Sequence, residues 1–244
     1  MLLSDLFDQL TYGELSTLSM GSIEGAGLQE CDYPKIIPHI NLGLAEIYKR
    51  FPIKIREVDV QQDASIQTYF LQSKYAVSNL ESVEPIKYII DTPSNPFTDT
   101  VLRIESIFNA DGEETRFTDD AQEYSQTDRE SFWLRHTPSY DAIYLPYPEA
   151  GKLVHVYYRA SHPVLETIGL NPYTTEVDIP VSLLEALLYF IASRILSNIN
   201  TDGTTGEGNN YMMKFEASCR KVQESNVNNI YNNINNKLDN NGWV

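Results

Sequence analysis

A predicted helix that ends abruptly at Pro52 constrains the fold of this chain more than any other segment. Apolar residues recur along it at steps of three and four, which places them on one helical face. Asp32 is its predicted N-cap, and Pro52 forbids continuation because proline lacks a backbone donor and clashes with the preceding turn. The sequence therefore predicts a helix over 33–51. Its apolar face consists of Ile36, Ile40, Leu44, Ile47 and Phe51.

Beyond Pro52 the hydrophobic period changes from helical to alternating and stays so until Asp178. Short apolar runs follow one another with turn residues between them, and Asp111-Gly112 is a hairpin signal. Regularly spaced strands without intervening helices favour an antiparallel sheet or small sandwich over βαβ units. We therefore predict an α+β fold. In it, residues 1–52 and 179–225 form an antiparallel helical bundle, and 53–178 form a β-rich insertion that includes a polar loop at 118–131.

Three more helices are predicted outside the insertion. The leucines of residues 1–20 keep a roughly helical repeat, with Ser4 as a possible cap. The segment 179–200 carries a broad apolar stripe, and Ser182 and Glu185 have the spacing of a capping box. A broad stripe is typical of a deeply packed helix, whereas the fourth helix, near 206–225, carries only a narrow apolar seam.

The Asn-rich segment 226–244 continues the apolar spacing of the fourth helix among nine asparagines. Asparagine is a poor helix former, so the segment either orders on a partner or remains a frayed terminus. We predict that it is a C-terminal arm and that, with the fourth helix, it forms an interface to other subunits. The predicted interface residues are Met212, Phe215, Val222, Ile230, Tyr231, Ile234 and Leu238.

Charge and cysteine content narrow the possible partners. The formal net charge is −16, whereas a surface that binds duplex DNA is basic, so we expect no sequence-specific DNA binding. The acidity either serves solubility or repels phosphates along a passage for DNA. Cys31 and Cys219 form no metal or redox spacing, which predicts free thiols in a reducing compartment. We expect neither a signal peptide nor a membrane span.

Motifs for catalysis or cofactor binding are missing from the sequence. The histidines do not have the spacing of a zinc site, and no serine-hydrolase elbow is present. The glycine cluster GSIEGAG at 21–27 lacks the Lys-Ser/Thr ending of a phosphate-binding loop. We therefore predict that the protein is not an enzyme and holds no catalytic residue, cofactor or metal.

Four segments together carry a resemblance to a known family. They are YGELSTL at 12–18, INLGLAEIYKRFP at 40–52, YRASHP at 158–163 and IPVSLLEALLYFIASRI at 179–195. In order and spacing the chain resembles the head-to-tail adaptor proteins of short-tailed bacteriophages, the tail tubular protein A-like family, in the version found in crAss-like and related podophages. Each segment is a packing pattern without chemistry, so the resemblance depends on their combination.

The resemblance implies a structural virion protein of the neck, assembled in the host cytoplasm. Such adaptors form a dodecameric ring beneath the portal and contact the portal protein, their own copies and the next tail protein. Genomic DNA passes through the ring during ejection without specific binding, and no membrane is involved. The predicted C-terminal arm would then dock on the portal and on neighbouring subunits.

A second hypothesis comes from another class of protein. The chain contains 16 tyrosines, and aromatic side chains on strands can stack on sugars or fill protein interfaces. A β-sandwich carbohydrate-binding or adhesion module of a virion or cell surface is therefore the alternative.

Overall fold

The computed structural model describes residues 1–16, 30–115, 136–199 and 206–225. It has an α+β fold, as predicted, with antiparallel sheets alongside the helices. The described helices are α1 (Leu3–Tyr12), α2 (Tyr33–Arg50), α3 (Val181–Ile199) and α4 (Gly206–Glu224). The strands are β1 (Ile55–Gln61), β2 (Thr68–Phe70), β3 (Ile89–Ile90), β4 (Val101–Asn109), β5 (Glu114–Thr115), β6 (His136–Ser139), β7 (Ala142–Tyr144) and β8 (Leu153–Ala160).

The chain divides into two compact units, and one boundary differs from the prediction. Unit 1 contains residues 1–53 and 162–244, and unit 2 contains residues 54–161. Residues 162–178, predicted to lie in the β-rich insertion, thus belong with the helices. The reason is hydrogen bonding, because Asn41 of α2 exchanges two bonds of 2.9 Å with the backbone of Leu165. The N-terminus adds to this, since Val177 N–H donates to the Met1 carbonyl over 2.8 Å.

Helices α3 and α4 form an antiparallel pair. Phe190 of α3 contacts Phe215 of α4 with ring centroids 5.3 Å apart. Later in α4, the Ser218 hydroxyl donates to Glu185, which lies earlier in α3. Residues later in α4 thus contact residues earlier in α3, so the two helices run in opposite directions.

Helix α2 packs closely on α3 at Gly43. A Cβ atom at this glycine would lie 2.7 Å from Leu187 Cδ1 and 3.0 Å from Phe190 Cδ1. Glycine in a helix interior is unfavourable by about 1 kcal/mol relative to alanine, so close packing gives a physical reason for it here. The apolar face predicted for α2, including Ile40 and Leu44, is buried.

Several predicted helix ends differ in detail. Helix α1 stops at Tyr12 instead of near residue 20, because Gly13 follows it. Asp32 is the N-cap residue of α2, as predicted, but its side chain forms no capping hydrogen bond and accepts one from Lys35 over 2.9 Å. Helix α3 begins at Val181, so Ser182 lies inside its first turn. The predicted partner Glu185 accepts hydrogen bonds from Tyr189 and Ser218 instead.

Unit 2 consists of two antiparallel sheets that share one hydrophobic core. The larger sheet has the order β3-β1-β8-β4-β5 and the smaller has the order β2-β7-β6. Strands β1 and β8 pair without interruption from Ile55–Arg159 to Gln61–Leu153, so both ends of the unit lie on neighbouring strands. The predicted hairpin is confirmed, with Gly112 at a φ of 79° in the turn between β4 and β5.

Burial alternates from residue to residue along β8. Val154, Val156 and Tyr158 are buried, whereas His155 and Tyr157 between them are only partly covered. One face of the larger sheet therefore supplies the core, and the other presents polar and aromatic side chains. The helices that the structure describes are each too short or too polar to span a bilayer.

Candidate interaction surfaces

The structure separates the predicted interface residues into three groups. Phe215 is fully buried and Val222 is 8% exposed, so both serve the core that α4 forms within its own chain. Met212 is 37% exposed beside Met213, which is 71% exposed. The remaining predicted residues, Ile230, Tyr231, Ile234 and Leu238, lie outside the described part of the chain. Met212 and Met213 are thus the large apolar side chains that the described part of α4 exposes to a partner.

Arg50 connects α2 to α4 through a planar fork of hydrogen bonds. Its guanidinium donates to both carboxylate oxygens of Glu216, over 2.7 and 2.9 Å, and to Glu46 over 2.9 Å. It also lies 4.9 Å from the centroid of the Phe215 ring. The hydrogen bonds from Arg50 lower the pKa of Glu216 below its ordinary value of 4.5. This fork therefore links the last residue of α2 to α4.

Replacing Arg50 with glutamine should therefore lower the free energy of unfolding by about 1–2 kcal/mol at pH 7. Charged hydrogen bonds contribute about 1.5–3 kcal/mol each, and the figure is reduced here because solvent screens a partly exposed pair. Since the pKa of Glu216 is depressed in the folded state, the contribution is present above pH 4.5 and is lost as the pH falls through the folded value. Urea unfolding at pH 7 and pH 3 measures both effects.

The matched control is Lys221→Gln, because Lys221 is an exposed cation of α4, the helix that carries Glu216. It should change stability by less than about 0.5 kcal/mol at either pH. Equal losses of unfolding free energy in the two variants would show that the change in net charge, and not the hydrogen bonds of Arg50, causes the loss.

A second candidate surface is an apolar loop of unit 2 formed by residues 77–86. Leu80 is 88% exposed and Val83 is 97% exposed. Val77 and Ile86 beside them are 44% and 38% exposed. Single exposed aliphatic residues are ordinary, whereas a contiguous apolar patch marks an interaction site, so four such residues in one short loop make it a candidate.

Hydrogen bonds hold this apolar loop in a defined shape. The Asp91 carboxylate accepts bonds from the backbone N–H and the hydroxyl of Ser78. Partial burial raises the pKa of Asp91, but the bonds from Phe97 N–H and from Ser78 outweigh this effect and lower it overall. Asn79 accepts two backbone bonds of 3.2 Å within the loop, which close its turn. A preformed loop binds a partner with less loss of conformational entropy.

A third feature lies on the partly exposed face of the larger sheet. His155 Nδ1 lies 2.7 Å from Asp59 Oδ1 and 3.4 Å from Glu57 Oε1. One potential ligand atom from each of the three residues lies within 4.8 Å of the others. This Glu57–Asp59–His155 cluster has a composition that suits a metal ion, whereas the sequence predicted no metal.

Sequence reasoning missed the cluster because its parts are far apart in the chain. Asp59 and His155 face each other only because β1 pairs with β8 in a fixed register. The one signal in the sequence was the spacing of Glu57 and Asp59, which puts two carboxylates on the same face of a strand. For the apolar loop the sequence held no signal of exposure, because Leu80 and Val83 resemble ordinary strand residues.

Comparison with models of known protein families and with curated protein sequences finds no match.

Proposed function

We propose that this protein is a structural virion protein, a subunit of the head-to-tail adaptor ring beneath the portal of a short-tailed bacteriophage. The ring forms part of the passage for DNA and docks the tail. The resemblance of four segments is the origin of the proposal. The structural observation that supports the proposal most is that the segments behind the resemblance pack against one another in unit 1.

Two of these segments meet at Gly43, where α2 packs on Leu187 and Phe190 of α3. The third segment joins through its last residues. Tyr48 of α2 packs edge-on against His162, with ring centroids 5.6 Å apart, and donates a hydrogen bond to the Asp178 carbonyl. Asp178 N–H in turn donates to His162 Nε2 over 3.2 Å. Segments whose combination carries the resemblance thus form one packed junction in unit 1, which supports the proposal.

The charge and the surfaces fit the same role. A net charge of −16 per subunit suits a channel that must not retain DNA, because phosphates meet few cations there. The apolar loop of unit 2 offers a contact for the next protein of the tail, and the 226–244 arm offers one for the portal. A ring subunit needs at least two kinds of surface. Heterologous contacts between neighbouring copies close the ring by rotation, and separate contacts join the ring to other proteins.

The direct test is native mass spectrometry of the purified 27.8 kDa chain, alone and mixed with the portal protein of the same phage. We expect a dodecamer on the portal and no stable complex with duplex DNA at physiological salt. A chain that stays monomeric beside an intact portal would contradict the ring. A tight, salt-sensitive DNA complex would contradict the acidic passage.

Deletion of residues 226–244 should abolish docking on the portal while leaving the melting temperature of the chain nearly unchanged. The four apolar residues predicted there could each contribute about 1.5–3 kcal/mol when buried in a preformed groove. Sedimentation with the portal protein measures docking, and calorimetry measures melting. The control exchanges Asn228 and Asn229 for serine and should dock normally. Wild-type docking by the truncated chain would place the contact elsewhere.

One observation favours the alternative, a carbohydrate-binding module. Tyr140 is 65% exposed and lines a cleft of about 290 Å³ together with Asp99 and Asp141. An exposed tyrosine ring offers an apolar face together with a polar hydroxyl, and both could contact a sugar. Glycan-array binding that is lost in Tyr140→Ala, by a chain that stays monomeric with the portal, would favour this module over the adaptor.

A further inference from the structure

The Glu57–Asp59–His155 cluster joins the two central strands of the larger sheet. Glu57 and Asp59 lie two residues apart on β1, so their side chains leave the same face. His155 lies directly opposite Asp59 on β8. We propose that these three side chains bind one divalent transition-metal ion of the zinc class, and the proposal is independent of the adaptor function.

The distances between the side-chain atoms suit such an ion. Zinc binds nitrogen and oxygen ligands at about 2.0–2.2 Å in a tetrahedron, which places neighbouring ligand atoms about 3.3 Å apart. The two distances from His155 Nδ1, to Asp59 and to Glu57, are 2.7 and 3.4 Å. All three candidate ligand atoms lie within 4.8 Å of one another, and rotation of these partly exposed side chains can bring them to tetrahedral spacing.

The backbone holds these ligands in place. Continuous pairing of β1 with β8 fixes Asp59 opposite His155 and Glu57 opposite Tyr157. The Tyr157 hydroxyl forms a hydrogen bond with the Glu57 carboxylate, and the Tyr157 ring contacts Phe108 at 5.2 Å between centroids. Partners of this kind orient ligands and strengthen metal binding in known metal sites.

The chemistry of the three ligands selects the class of ion. An imidazole together with two carboxylates suits zinc and its neighbours, whereas calcium and magnesium prefer oxygen alone. The three side chains are between 29% and 46% exposed, so an ion can reach them from solvent. Three protein ligands leave the fourth tetrahedral position to water or to a donor from another molecule.

Bound zinc would tie β1 to β8 and would stabilise the folded chain in proportion to its concentration. The competing explanation is a simple ion pair, in which protonated His155 bridges the two carboxylates without a metal. The two differ in one respect that can be measured, because only the metal site makes stability depend on added zinc.

The experiment uses the full chain after treatment with a chelator, titrated with zinc chloride by calorimetry and by thermal melting. We expect one saturable site per chain and a melting temperature that rises with zinc. His155→Gln and Asp59→Asn should each weaken binding at least about tenfold and remove the thermal effect. Circular dichroism of both variants without zinc verifies that they fold, and Asp59→Asn is the milder change.

The matched control is Glu149→Gln, because Glu149 is a comparably exposed carboxylate of unit 2 that pairs with Lys152. It should bind zinc as the parent does. Absence of saturable binding by the parent would overturn the proposal and leave the ion pair. Equal binding by the parent and by a folded His155→Gln variant would also overturn it, because zinc would then lie at another site.

Discussion

Replacing Leu187 with aspartate is expected to unfold unit 1. Leu187 is fully buried in α3, and its Cδ1 lies against Gly43 of α2. An unpaired carboxylate in such a position has neither water nor a cation beside it, and a burial of this kind costs more than about 4 kcal/mol. Because a domain of this size is stable by only about 5–15 kcal/mol, much of the stability would be lost. We expect aggregation on expression, or a melting temperature lowered by more than about 10 °C.

The control for this prediction is Val181→Asp in the same helix. Val181 is the first residue of α3 and is 87% exposed. An acidic side chain in the first helical turn interacts favourably with the helix dipole, so the variant should be as stable as the parent or slightly more stable. Melting curves of the two variants would separate a burial effect from a charge effect. A Leu187→Asp variant that melts with the parent would contradict the packing of α2 on α3.

Sequence periodicity predicted the helices well because each has one long face to bury. Helix α2 shows this best, since Ile36, Ile40 and Ile47 all lie in the core as their spacing indicates. The switch to alternation was placed at Ile53, one residue before the start of unit 2 at Lys54, because Pro52 ends the helix.

The second boundary was wrong because no periodic pattern marks it. Residues 162–178 contain neither a helix nor a strand, and their place in unit 1 depends on single hydrogen bonds such as those of Asn41 and Tyr48. The seam of α4 was misread for a related reason. A narrow apolar stripe can face either its own chain or another chain. For α4, the contact between Phe215 and Phe190 of α3 shows that the stripe faces its own chain.

Features that depend on strand register were outside the reach of sequence reasoning. The Glu57–Asp59–His155 cluster requires that β8 return beside β1, 96 residues after Asp59. The exposed Leu80 and Val83 likewise lie in a loop that is joined to the rest of unit 2 by hydrogen bonds from Ser78 to Asp91, 13 residues further along the chain. Both surfaces follow from tertiary pairing and not from local pattern.

Replacing Leu80 and Val83 together with aspartate should prevent attachment of the tail to the adaptor ring, if the adaptor function holds. Both side chains are almost fully exposed, at 88% and 97%, so the folded chain loses no core contact. In an apolar contact each aspartate would be desolvated without a partner, at a cost of about 2–7 kcal/mol. We therefore expect rings on the portal and DNA-filled heads, but at least about a hundredfold fewer infectious particles.

Electron microscopy of particles assembled with the double variant shows which assembly step fails. Calorimetry of the purified variant measures its stability. The melting temperature should equal that of the parent within about 1 °C, because surface substitutions usually change stability by less than about 0.5 kcal/mol. Glu81→Gln alters an exposed residue of the same loop and should give normal tailed particles. Tails that attach normally to the Leu80→Asp, Val83→Asp ring would show that the apolar loop does not contact the tail. Loss of the ring itself would instead assign the loop to the contact between neighbouring subunits, since one apolar surface can be buried only once in the assembly.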